Sequence, residues 1–118
     1  MSDLAARVRA ARAAAHSAPV PPDGIETPNA EAALDVLRDS FWPAVEVYID
    51  ARTEGVRLEP AEQATLDDAV EAALATYAAH YGYEIDPTVP VREAAETFLD
   101  THDLRDTAQL LTGVPSRD

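Results

Sequence analysis

Residues 43–60 read PAVEVYIDARTEGVRLEP, and whether they fold as a helix or as a hairpin decides the class of the whole chain. Val45, Val47 and Ile49 alternate with Glu46, Tyr48 and Asp50, the period of a half-buried strand, and TEG supplies a turn back into VRL. Val45, Tyr48, Ile49 and Arg52 also share one helical face, with Pro43 at a first helical position and Gly55 at a stop. A run this short satisfies both periods. The neighbours favour helix, because an isolated hairpin needs a sheet partner that the rest of the chain does not offer.

On either side the helical signals are stronger. Asn29 stands where a cap belongs for AEAALDVLRDSF, whose Leu34, Leu37 and Phe41 line one face, and Trp42 before Pro43 predicts a break there. From Pro60, Leu66, Val70, Leu74, Tyr77 and Tyr81 keep one stripe until Gly82. Thr88 and Pro90 open VREAAETFLDTH, with Val91, Ala94, Ala95, Phe98 and Leu99 expected to face inward. Asp103 is placed to cap LRDTAQLLT, with Asp106 in the capping-box position and Gly113 at the end. The reading is a small all-α bundle of about five or six helices, with residues 44–58 open to a short β-hairpin instead of a helix.

Three stretches divide the chain. Residues 1–16 form a basic, Ala/Arg-rich helical arm, with Ser2 as its expected cap and Leu4, Val8 and Ala11 as a thin apolar stripe. Residues 17–29 hold four prolines in thirteen positions and read as a linker. Residues 30–118 form the helical domain. The arm alone is basic, at a net +2, against a net −15 for residues 17–118. Arg7, Arg9 and Arg12 are therefore candidates to grip an acidic surface, the chain's own or a partner's.

Composition narrows the function. The chain has 118 residues, enough for one core, but 24 are alanines that bury little area each. Against 22 acids stand 9 arginines and no lysine. That surplus suits molar salt, where self-repulsion is screened over ~3 Å while charge maintains solubility; an ordinary acidic protein of a GC-rich bacterium is the alternative. There is no cysteine, hence no disulfide or thiolate metal site. No apolar run reaches the ~18 residues of a membrane span, and no secretory signal is legible, so the expectation is a cytoplasmic protein with no membrane contact.

The final residues, DLRDTAQLLTGVPSRD, imitate the first helix and turn of a helix-turn-helix. The reader helix follows the turn in that motif, and only five residues follow Gly113. Taken as the reader itself, the segment 104–112 offers a groove little beyond Arg105 and Gln109, which argues against nucleic acid as a partner. A transcriptional regulator with a degenerate motif of this kind stays as an alternative.

The segments VYIDARTEG, YAAHYGYEID and VREAAETFLDTHDLRDTAQLLTGVP resemble short, acidic, uncharacterised proteins of salt-loving archaea over about residues 41–115. The resemblance implies a high-salt setting and assigns no activity to any residue.

Catalytic and metal chemistry has few candidates. His80 near the end of the long helix, with Glu84 beyond it, and the turn cluster Asp100, His102 and Asp103 are the low-ranking metal or enzymatic positions. The residues three before His16, His80 and His102 are Ala13, Tyr77 and Leu99, which excludes the Glu-x-x-His pairs of a di-iron bundle. Each of the four glycines stands alone, so no phosphate loop is present. Without a catalytic constellation or a cofactor motif, the expectation is a non-enzymatic protein-interaction or regulatory module acting on another protein or on itself. Phe41 and Trp42 are its aromatic contact candidates, and a small metal-binding or enzymatic helical protein is the remaining alternative.

Overall fold

The computed structural model describes residues 3–21 and 28–115 of the chain. Its regular elements are α1 (Asp3–His16), α2 (Ala30–Val36), a π-helical turn (Leu37–Phe41), α3 (Trp42–Thr53), α4 (Pro60–Ala79), α5 (Val91–Thr101) and α6 (Leu104–Thr112). The protein is all-α, with no strand among the described residues.

Residues 44–58 do not form a hairpin. α3 runs to Thr53 and closes in a Schellman stop: Gly55 takes φ 71° and donates to the Arg52 carbonyl at 3.2 Å, while the Val56 N–H reaches the Ala51 carbonyl at 2.8 Å. The strand-like alternation has a tertiary cause. α3 packs on α1 and α4 as well as on α5, so Val45 and Val47 are both buried although no single helical face carries them. A helix covered on more than one side loses the period that a half-exposed one displays.

Pro43 does not break the helix either, contrary to the expected stop. Trp42 keeps φ −58° and ψ −42°, and α2, the π turn and α3 continue as one rod from 30 to 53. The missing N–H and the ring of Pro43 conflict with an ordinary i−4 bond. One wider turn upstream, in which Trp42 N–H bonds the Leu37 carbonyl five residues back, precedes the proline and continues the rod into it.

α4 is the centre. Leu66, Val70, Leu74 and Tyr77 are buried as the stripe predicts, and so are Ala69, Ala73 and Ala78. α1 packs more extensively on α4 than on any other helix, burying Val8, Ala11 and Ala15 with Leu4 partly covered. The expected cap Ser2 lies outside the described residues. So does the middle of the 17–29 stretch, whose flanks converge on one residue: His80 Nε2 lies 2.9 Å from the Pro19 carbonyl, and the Asn29 N–H donates to the His80 carbonyl at 2.8 Å.

α5 begins without a cap of its own. Asp67 and Glu71, one turn apart on α4, accept the N–H groups of Val91 at 2.8 Å and Val89 at 3.0 Å, so the central helix caps its neighbour. α5 and α6 are joined by His102 and Asp103. Asp103 caps α6 through the Asp106 N–H at 2.9 Å, as expected. His102, at φ 55°, holds the left-handed position that glycine usually fills. The Tyr77 hydroxyl donates to the Val114 carbonyl at 2.7 Å, and burial pushes this phenol above the usual tyrosine range, with the charge of Tyr81 adding to the effect.

Candidate functional site

α3 and α5 pack on each other and leave an open, largely apolar groove along their contact. α3 presents Tyr48, Ile49 and Arg52, α5 presents Ala95, Glu96 and Leu99, and between them lies a groove of about 330 Å³. Tyr48 and Ala95 are buried in its floor, whereas Leu99 stands at its mouth with 51% of its surface exposed. Leu99 was expected to face inward with Val91, Ala94 and Ala95, which are buried; it does not. At roughly 100° per residue it lies about 80° from Val91, at the border of the apolar arc, and the groove keeps α3 from covering it.

The α3 wall carries Arg52, and the α5 wall carries the ion pair of Arg92 with Glu96. Arg52 donates to the Tyr48 hydroxyl at 3.0 Å and sits 5.8 Å from the same ring's centre, a hydrogen bond and a cation–π contact that fix the guanidinium at the rim. Arg52 makes no ion pair among the described residues. Glu96 receives Arg92 Nε at 2.9 Å through one oxygen, a contact that holds the Arg92 pKa above its ordinary value. The groove thus combines an apolar floor with polar and charged groups at its rim.

The residues singled out from sequence fall elsewhere. Phe41 is fully buried, so it is removed from the list of surface contacts: the π turn that carries it faces α3 and α4. Trp42 is half-buried and stacks on Phe98 with ring centres 4.9 Å apart. Arg7 meets Asp50 at 2.7 Å and Glu46 at 4.0 Å, and Arg12 lies 3.9 Å from Asp68, so both engage acids of their own chain, while Arg9 is exposed. His80 is buried and tied to Pro19, and Glu84 is exposed on the loop after α4. Asp100, His102 and Asp103 are exposed; Asp103 is engaged as the α6 cap, and the His102 ring leans on Phe98 with centres 6.4 Å apart. Among the described residues no three His, Asp or Glu side chains gather as a metal site.

A second cavity of about 200 Å³ lies beside the π turn, lined by Asp35, Asp39, Ser40 and His80. Its one deeply buried hydroxyl, on Ser40, donates to the Ala14 carbonyl at 3.0 Å, which locks the turn onto α1. That bond has a structural use.

Fold and groove together define a small all-α protein with an open, largely apolar groove between α3 and α5. The chain belongs to the family described as a domain of unknown function, DUF8055, whose model matches residues 1–116. No curated protein and no solved structure matches it. Among the described residues no helix is long and apolar enough to cross a membrane.

Proposed function

We propose that this chain is a non-enzymatic protein-interaction module that binds through the α3–α5 groove and is adapted to high salt. The observation that carries the reading is Leu99, a large apolar side chain at the mouth of an apolar groove, with Arg52 fixed at the rim. Protein contacts concentrate their energy in such a pocket surrounded by polar groups.

Affinity capture in molar KCl with the wild-type chain and with Leu99→Asp tests the reading. A protein retained by the wild type and lost with the variant, whose circular dichroism at 222 nm is unchanged, is the expected outcome. Equal retention by both contradicts it.

The salt component rests on the net charge of −13 without any lysine. Raising ionic strength from 0.1 M to 1 M shortens the screening length from ~10 Å to ~3 Å and removes most of the self-repulsion. The thermal midpoint is expected to rise clearly between 0.1 M and 2 M KCl. A flat midpoint removes high salt from the account.

A further inference from the structure

We infer that the partner seated in the α3–α5 groove is a second copy of this chain, in a two-fold dimer that forms in high salt. The inference rests on the interaction reading above and names its partner. Three features of the groove point to self-pairing. Arg52 stands on one wall and Glu96, which keeps an ion pair with Arg92 through one oxygen, on the other. A two-fold axis running along the groove lays α3 of each copy over α5 of the other, so both Arg52–Glu96 pairs form at once. Arg52 brings to that contact a guanidinium already held by Tyr48 and unpaired with any described carboxylate. Glu96 uses one oxygen for Arg92, and its other oxygen retains acceptor capacity.

Leu99 supplies the apolar part. At the mouth of its own groove it is also the side chain best placed to enter the groove opposite, and the same operation buries both copies. A purely basic partner is less well matched, because it would meet Arg52 with like charge.

Net charge then makes the dimer depend on salt in an unusual direction. Two chains of −13 each repel over ~10 Å at 0.1 M salt and over only ~3 Å at 1 M, while a contact pair enclosed in the interface is screened much less. Association should therefore strengthen with salt, the reverse of what simple attraction between opposite net charges gives.

Sedimentation equilibrium of the full chain tests this, with circular dichroism confirming the fold of each variant. The dimer constant is expected to tighten by about tenfold or more between 0.1 M and 1 M KCl, with Leu99→Asp monomeric at 1 M. Arg52→Glu and Glu96→Arg alone should each weaken it by about tenfold, and the two together should recover wild-type strength to within about threefold. A purely structural role for either residue gives no such recovery. A wild type that stays monomeric at every salt concentration overturns the dimer. If that monomer still captures a foreign protein in a Leu99-dependent way, the groove reading survives; a dimer indifferent to Leu99→Asp and to the charge exchange overturns the inference as well.

Discussion

The seam between α1 and α4 and the seam between α3 and α5 are built from side chains of different size and end differently. In the first, small side chains dominate: Ala11 and Ala15 on α1 and Ala69 and Ala73 on α4 are all buried. In the second, the larger side chains Tyr48, Ile49 and Leu99 line a groove of about 330 Å³. Alanine closes a seam but leaves no surplus apolar surface to offer a partner, whereas a bulky residue at a helix border leaves apolar surface exposed beside the contact.

Truncation at leucine separates the two regions most strongly. Leu74→Ala, deep in α4, is expected to cost about 2–5 kcal/mol in urea unfolding, whereas Leu99→Ala should change stability by about 0.5 kcal/mol or less. At 0.1 M KCl, where association is weakest, similar losses at both positions would mean that the groove is closed within a single chain. Overfilling the alanine seam comes next: Ala73→Leu should destabilise by about 1–3 kcal/mol, since a fully buried alanine has no room for three more carbons. Asp67→Ala removes the cap that α4 lends to α5 and should cost about 1 kcal/mol, read by the same unfolding curves, with amide exchange faster at Val91. The smallest effect is a gain. His102→Gly relieves a left-handed backbone and should add up to about 1 kcal/mol, reduced by the lost contact with Phe98.

The closed seam was the more legible in the sequence. Leu66, Val70, Leu74 and Tyr77 follow a plain helical stripe, and the caps Asn29 and Asp103 and the stops Gly55, Gly82 and Gly113 stand where local chemistry puts them. What escaped is tertiary. The alternation of Val45 and Val47 reflects burial on several sides of α3, and the proline at 43 is absorbed by a π turn that no local rule announces. Asp67 and Glu71 bond the backbone entering α5, and only the packing of α4 beside that segment reveals it. For the groove, a signal existed: Leu99 lies at the border of its apolar arc by angle alone. Arg52 and Glu96 carried none, because their meaning comes from facing walls of two helices more than forty residues apart.

The absence of any cysteine permits one direct test of the central claim, that two copies meet across the α3–α5 groove with α3 over α5. Arg52→Cys and Glu96→Cys are prepared separately, mixed in 1 M KCl and treated with a short bismaleimide. The account predicts that the mixture yields a covalent dimer joining the two variants, far in excess of what either variant yields alone, because each residue faces the other type across the axis. Cross-linking of either variant to itself as efficiently as in the mixture, or no covalent dimer under any condition, contradicts it.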